Sequence, residues 1–291
     1  MRLCHVPVLG PSGFHRMVYQ EWGNPASADV LVCAHGLTRN RHDFDPLAER
    51  MAADGWRVVT FDMPGRGDSE YLPEPAQYNI ANYLPICAAL LARLDVDDVA
   101  WLGTSMGGIV GMGLASKPDS PIKRLVLNDV GPFIPSAGLK RIGHHVGADP
   151  RFDSYSAVEH MLRSTMAGFG VKHDAHWRYL AEIAVEPDGA GRLRLRYDPG
   201  IAQVYHVSLE DIEFWPVWDA IQCPVMVLRG VDSDILLREV ATDMADRGPR
   251  AKVIEIDGCG HAPLLFENDQ IDLVRAWLDN SRNTAAASSA K

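Results

Sequence analysis

One serine in a glycine-rich stretch has a setting that suggests covalent chemistry. Ser105 stands in WLGTSMGGIVG, with Gly103 two residues before it and Gly107 two residues after it. Small residues at these positions permit a tight turn from a strand into a helix, where a Cβ would strike neighbouring backbone. Such a turn exposes the serine Oγ and directs the following backbone N–H groups toward the atom it attacks. The spacing predicts a nucleophile, although this short motif needs partners elsewhere in the chain.

A serine nucleophile needs a base to take its proton and a carboxylate to orient that base. His261, in GCGHAP after the last apolar run, is the predicted base. Asp232 and Asp234 follow the preceding apolar run in LRGVDSDIL, and spacing alone does not choose between them. Asp129, in LNDVGP, is an alternative acid, but we favour a turn or a hinge there. With Asp232 or Asp234 as the acid, the chain order is Ser, Asp, His, which is typical of a nucleophile on such a turn.

A fourth segment, CAHGLTRN, matches the need to stabilise negative charge on oxygen. Attack on a carbonyl forms a tetrahedral intermediate, and two backbone N–H donors are the usual means of stabilising its oxyanion. One donor is predicted at Met106, directly after the nucleophile. The other is predicted at Leu37, where His35 and Gly36 turn the chain.

Short apolar runs alternate with longer amphipathic segments through most of the chain, as in DVLVCAHG, FDPLAERMAADG and WRVVTFDMPG. This alternation predicts an α/β fold in which helices cover both faces of a mostly parallel sheet. The ligand site of such a sheet lies beyond the carboxyl ends of its strands. All four candidate segments follow predicted strands, so the fold is expected to bring them together.

The strand rhythm stops between about residues 132 and 218, where amphipathic helical patterns dominate. We predict a core formed by residues 1–131 and 219–284, with an inserted, mainly helical cap at 132–218. Residues 285–291 are low in complexity and are predicted to fray.

Composition excludes several classes of function. The 291 residues carry a net charge of −10, which disfavours binding to nucleic acid or to an anionic membrane. The five cysteines have no C-x-x-C spacing, so neither a disulfide framework nor a zinc site is expected. No signal peptide or membrane span is predicted, and we expect a cytoplasmic enzyme without cofactor or metal.

Together these segments resemble the α/β-hydrolase family over nearly the whole chain. HGLTRN is similar to its oxyanion loop, GTSMGG to its nucleophile elbow and GCGHAP to its histidine loop; FDMPGRGDS is similar to its turn after the second parallel strand. The resemblance implies a triad of Ser105, His261 and an Asp, with the insertion acting as a lid. It favours Asp234 as the acid, although Asp234 stands four residues after Gly230 where many members have three.

The expected reaction is hydrolysis of a small-molecule carboxylic ester, thioester or lactone through an acyl-enzyme on Ser105. Phe44, Phe133, Trp177 and Tyr205 are the predicted substrate-binding residues, because aromatic side chains commonly line such pockets. The same triad can also serve a carbon–carbon bond hydrolase or a cofactor-free dioxygenase, and a capped chain of this kind can act as a ligand receptor. The chemistry of the cap must separate these alternatives.

Overall fold

The computed structural model describes residues 1–205 and 210–289. In that part of the chain the strands are β1 Arg2–Gly10, β2 Gly13–Trp22, β3 Val30–Ala34, β4 Arg57–Phe61, β5 Val99–Thr104, β6 Ile122–Asn128, β7 Phe133–Ile134, β8 Arg151–Phe152, β9 Val185–Pro187, β10 Leu193–Leu195, β11 Ile212–Glu213, β12 Val225–Gly230 and β13 Lys252–Ile256. The α-helices are α1 Asp45–Ala53, α2 Ile80–Arg93, α3 Met106–Ala115, α4 Ser136–Gly143, α5 Tyr155–Thr165, α6 Asp174–Ala184, α7 Ile201–Tyr205, α8 Trp215–Asp219, α9 Arg238–Asp246 and α10 Asn268–Ser289.

The main sheet has eight strands in the order β1-β2-β4-β3-β5-β6-β12-β13. The six strands from β4 to β13 run parallel to their neighbours in the sheet, whereas β1 and β2 form an antiparallel hairpin that joins β4 antiparallel. The predicted α/β fold with a mostly parallel sheet is confirmed. The hairpin was not predicted, because its exposed edge strand mixes polar and apolar residues without a clear apolar run.

Burial on both faces explains why the central strands read as continuous apolar runs. Along β3, Val30, Val32 and Ala34 belong to one core cluster, while Leu31 and Cys33 belong to the other. Alternate side chains of a strand point to opposite faces, so each central strand contributes to two cores. These cores hold the carboxyl ends of the strands in register, and that register positions the site.

The segment predicted as a cap contributes no strand to the main sheet in the described residues. It carries a three-stranded sheet, β8-β10-β9, and a two-stranded sheet, β11-β7, together with α4 to α8. Helices α5 and α6 pack on each other around a third core that includes Val158, Leu162 and Leu180. The segment enters after β6 and leaves before β12, so it is connected at the carboxyl end of β6.

The last helix, α10, includes residues 285–289 of the segment predicted to fray, and residues 290–291 lie outside the described residues. No helix in the described ranges combines the length and the apolar character needed to cross a membrane.

Candidate active site

Ser105 occupies the turn between β5 and α3 in a backbone conformation that non-glycine residues rarely adopt, with φ of 51° and ψ of −116°. A Cβ on Gly103 would lie 2.3 Å from the Gly107 carbonyl, and one on Gly107 would lie 2.1 Å from the Ala34 carbonyl oxygen. Neither position therefore accommodates a larger residue without moving backbone. The strained turn places Ser105 at the carboxyl edge of the sheet.

His261 lies next to this serine. Its Nε2 is 3.0 Å from Ser105 Oγ, and its Nδ1 is 2.7 Å from Asp129 Oδ2. In the tautomer that carries a proton on Nδ1, this N–H donates a hydrogen bond to the Asp129 carboxylate. Nε2 is then unprotonated and can accept a hydrogen bond from the Ser105 hydroxyl. The predicted base is in hydrogen-bonding reach of the predicted nucleophile.

The acid in contact with His261 is Asp129, so the prediction of Asp234 is wrong about this contact. Asp129 is fully buried, and its carboxylate also accepts hydrogen bonds from the Gly230 N–H at 2.8 Å and the Ser233 hydroxyl at 2.5 Å. Three hydrogen bonds compensate the cost of burying the ionised carboxylate and fix its orientation. The geometry is that of an acid that orients a histidine.

Asp234 instead faces Arg141 of α4, whose Nε and Nη2 donate to its two carboxylate oxygens at 2.5 and 2.7 Å. Partial burial opposes ionisation of Asp234, but hydrogen bonds from Arg141 and its charge lower the pKa of the carboxyl. Asp232 is exposed. The predicted loop still reaches the site, because Ser233 binds the carboxylate of Asp129.

Strand register explains why Asp129 holds this position. Thr104 of β5 pairs with Asn128 of β6, and the Ser105 N–H donates to the Asn128 carbonyl at 3.1 Å. Asp129 is thus the residue directly after β6, and Ser105 is the residue directly after the adjacent strand β5. Its φ of 57° is a left-handed conformation that Asp tolerates better than most residues. An acid directly after a predicted strand was the available signal, but the same signal also marked Asp232 and Asp234.

Leu37 and Met106 both border the same cavity as Ser105. Arg66 Nε donates a hydrogen bond to the Leu37 carbonyl at 2.8 Å, and this bond stabilises the loop that contains Leu37. A Cβ on Gly36 would lie 3.8 Å from Ser105 Cβ, so the loop passes directly beside Ser105. Both residues therefore lie beside Ser105, and their role as oxyanion donors stays a prediction.

A buried histidine braces this loop. His35 Nδ1 is 2.7 Å from the Gly36 carbonyl oxygen, and its Nε2 accepts the Met63 N–H at 3.0 Å. Burial lowers the pKa of His35 to about 3, so the ring is neutral near pH 7. One neutral tautomer satisfies both contacts and links the loop after β3 to the turn after β4.

Of the four aromatic residues predicted to bind substrate, only Tyr205 lines a cavity beside Ser105. Phe44 is buried beneath the sheet in the core that contains α1, and Trp177 is buried in the core of the cap. Phe133 packs in β7 and borders neither cavity. Phe44, Phe133 and Trp177 thus do not border either cavity, since residue type alone does not distinguish a core aromatic from a pocket aromatic.

Two cavities of about 270 and 260 Å³ meet at Ser105 and Leu37. The first, the apolar cavity, has no charged side chain in its described lining, which includes Ile109, Ile134, Leu139, Ile201, Val204 and Ile235. The second, the basic cavity, is bordered by Arg39, Arg141, His145, Met166, Phe169 and His261. Ser105 therefore stands between two spaces of different character.

The described residues contain no cluster of three or more His, Cys, Asp or Glu side chains suited to hold a metal ion. His173 and His176 of the cap each approach Glu267, at 3.7 and 3.5 Å. All three side chains lie apart from the Ser105 and His261 contact, and neither cavity includes them.

Residues 31–276 match the model of the alpha/beta hydrolase family. A 3-hydroxybutyrate-oligomer hydrolase from Cupriavidus necator is 41% identical over 279 residues, which cover 93% of this chain and 95% of that protein. A crystal structure of a Rickettsia typhi protein superposes with a TM-score of 0.90 at 34% identity, covering 96% of this chain and 99% of that one. An alpha/beta hydrolase from Novosphingobium aromaticivorans gives a TM-score of 0.87 at 33% identity, covering 96% of this chain and 98% of that one.

Proposed function

The chain belongs to the alpha/beta hydrolase family and acts on ester bonds, and we propose that it does so through an acyl-enzyme on Ser105. One observation carries this proposal: His261 contacts Ser105 Oγ at 3.0 Å through Nε2 and Asp129 at 2.7 Å through Nδ1. A serine with a positioned base, and a base with a buried carboxylate, is the arrangement that activates a hydroxyl for acyl transfer.

In the proposed reaction, His261 takes the Ser105 proton as Oγ attacks the ester carbonyl. The negative charge passes to the carbonyl oxygen, where the N–H groups of Leu37 and Met106 stabilise it, and Asp129 stabilises the imidazolium. The carbon–oxygen bond to the alcohol then breaks, and His261 returns the proton to the departing alkoxide. Water attacks the acyl-enzyme by the same sequence and releases the acid. Loss of one oxyanion donor typically costs about 3 kcal/mol of transition-state stabilisation.

We propose short oligoesters of a hydroxy acid as the substrate class, with 3-hydroxybutyrate oligomers as the first compounds to test. The 41% identical relative from Cupriavidus necator is a 3-hydroxybutyrate-oligomer hydrolase. Such an oligomer extends on both sides of each ester bond, and the serine here has a cavity on each side. An ester with a minimal alcohol would leave one of these cavities unfilled.

The proposal predicts that the purified enzyme hydrolyses the 3-hydroxybutyrate dimer and trimer with kcat/KM at least about tenfold above that for ethyl butyrate. The physical reason is that filling the second cavity adds contacts worth about 1 to 3 kcal/mol per group. Product formation is measured by chromatography, beside a matched thioester, a lactone and an aryl β-diketone. Turnover of the β-diketone without ester turnover contradicts the proposal in favour of carbon–carbon bond cleavage, and tight binding without any turnover contradicts it in favour of a receptor.

Tyr205 and Trp177 offer a paired test of the apolar cavity. Tyr205→Ala should shift the preference among p-nitrophenyl esters toward longer acyl chains by about tenfold, because it enlarges the apolar cavity. Trp177→Ala should leave that preference unchanged and destabilise the fold by about 3 to 5 kcal/mol, because Trp177 is buried in the cap core. Acyl-length profiles and thermal melts of both variants give the result, and an unshifted profile for Tyr205→Ala argues that the acyl group lies elsewhere.

A further inference from the structure

The two cavities differ in charge as well as in position. The basic cavity is bordered by Arg39, Arg141, His145 and His261, and no Asp or Glu is among its described lining residues. This contrasts with the chain as a whole, whose net charge is −10. Arg39 and Arg141 are paired with Asp43 and Asp234, which are not among the lining residues, so the border of the basic cavity offers guanidinium N–H donors and no carboxylate to an entering group.

Arg39 follows the loop that passes beside Ser105, and its side chain borders the basic cavity. A Cβ built on Gly36 would lie 3.8 Å from both Arg39 Cγ and Ser105 Cβ, so a single glycine separates the two side chains. Asp43 holds one edge of the guanidinium, accepting from Nε at 2.9 Å and from Nη2 at 2.5 Å. The side chain is 16% exposed, and Nη1 has no hydrogen-bond partner among residues 1–205 and 210–289.

The ion pair with Asp43 prepares Arg39 to bind an anion. The pairing with Asp43 fixes the plane of the guanidinium, so little side-chain entropy remains to be lost when a ligand binds. The N–H groups on Nη1 donate no hydrogen bond to another group in residues 1–205 and 210–289. Such a group donates charge-assisted hydrogen bonds to a carboxylate that enters the basic cavity.

The position of His261 indicates which part of the substrate enters each cavity. His261 borders the basic cavity and not the apolar one, whereas Met106 borders only the apolar cavity. Because His261 gives its proton to the departing alkoxide, the alcohol fragment must leave on the histidine side. The uncharged acyl fragment then occupies the apolar cavity.

From these contacts we infer that Arg39 binds the free carboxylate of the departing hydroxy acid, so that the enzyme cleaves the ester bond nearest the carboxyl end of an oligoester. This inference rests on the proposed function. In each turnover Ser105 Oγ bonds to the carbonyl carbon of the second unit, and the carbon–oxygen bond to the terminal unit breaks. His261 protonates that oxygen, one hydroxy acid departs with its carboxylate intact, and water releases the acyl fragment.

The test compares the 3-hydroxybutyrate dimer with its terminal carboxamide, which has nearly the same size and no charge. The wild-type kcat/KM should favour the acid by about 10- to 100-fold, as expected for a charge-assisted hydrogen bond. Arg39→Gln should bring the ratio close to one, mainly through KM, and Arg39→Lys should retain part of it. Arg247→Gln is the matched control, because Arg247 makes a similar two-nitrogen pair with Asp219 but borders neither cavity.

A mixed trimer tests the direction of cleavage. With a 3-hydroxyvalerate unit at the carboxyl end, mass spectrometry should detect 3-hydroxyvalerate as the first monomer released. Early release of 3-hydroxybutyrate monomer overturns the inference. A kcat/KM ratio near one between the acid and the amide dimer also overturns it, and this measurement uses only the wild-type enzyme. Failure to hydrolyse both dimers would count against the proposed function, whereas rapid and equal hydrolysis of both would remove only the carboxylate site.

Discussion

Ser105→Ala should lower kcat for p-nitrophenyl butyrate by about 10⁶-fold, as expected when a nucleophile is removed from a triad. The substitution deletes only Oγ, the atom that lies 3.0 Å from His261 Nε2. Alanine adopts the strained backbone of this turn about as well as serine, so the thermal melting temperature should stay within a few degrees of the wild type. Steady-state kinetics gives the change in kcat, and a fluorophosphonate probe should label the wild type at Ser105 and leave the variant unlabelled.

Ser116→Ala is the control for this experiment. Ser116 follows α3, the helix that begins directly after Ser105, and its hydroxyl donates to the Gly113 carbonyl at 3.0 Å. The variant removes a hydroxyl from the far end of the same helix, and we expect normal kcat and normal labelling. Undiminished turnover by a folded Ser105→Ala protein would exclude the acyl-enzyme mechanism.

Asp129→Asn should lower kcat by up to about 10⁴-fold, because an amide in contact with the histidine favours the wrong tautomer of the ring. Asn is nearly the same size as Asp and can still accept a hydrogen bond from the Gly230 N–H or the Ser233 hydroxyl. The loss of stability, measured by the melting temperature, should therefore be small, whereas the loss of kcat is large. The rate of fluorophosphonate labelling should fall with kcat, which identifies loss of serine activation separately from any change in stability.

Asp234→Asn tests the alternative acid under the same conditions. Asp234 pairs with Arg141, and both side chains are more than 40% exposed. An exposed ion pair of this kind contributes about 0 to 1 kcal/mol, so kcat for the uncharged p-nitrophenyl ester should remain within about threefold of the wild type. If the Asp234 variant loses its activity and the Asp129 variant keeps it, the assignment made from the structure is reversed.

The tight turn at Ser105 could be predicted from the sequence because its constraints are local. Ser105 requires small residues two positions away on each side, and Gly103 and Gly107 meet their neighbours at 2.3 and 2.1 Å when a Cβ is added. A steric demand of this kind is recorded in residue types at fixed spacing. The order of apolar runs similarly predicted the parallel sheet, because strands buried on both faces must be apolar throughout.

The pocket required tertiary structure. Phe44, Phe133, Trp177 and Tyr205 are all aromatic, but only the packing of helices and strands decides which of them faces a cavity and which fills a core. The role of Arg39 is a similar case. Its one-sided pairing with Asp43 and its closeness to Ser105 depend on the path of the loop after β3.

The choice of the acid beside His261 shows most clearly where local sequence information ends. The sequence by itself predicted that an acid after a strand partners His261, and it offered Asp129, Asp232 and Asp234 in such positions. The tertiary structure decided among them, because β6 lies between β5 and β12 and its register sets Asp129 beside the end of β5. Loops at the ends of adjacent strands lie side by side, so the choice of one residue depends on which strands pair and in what hydrogen-bond register, and local sequence does not record either.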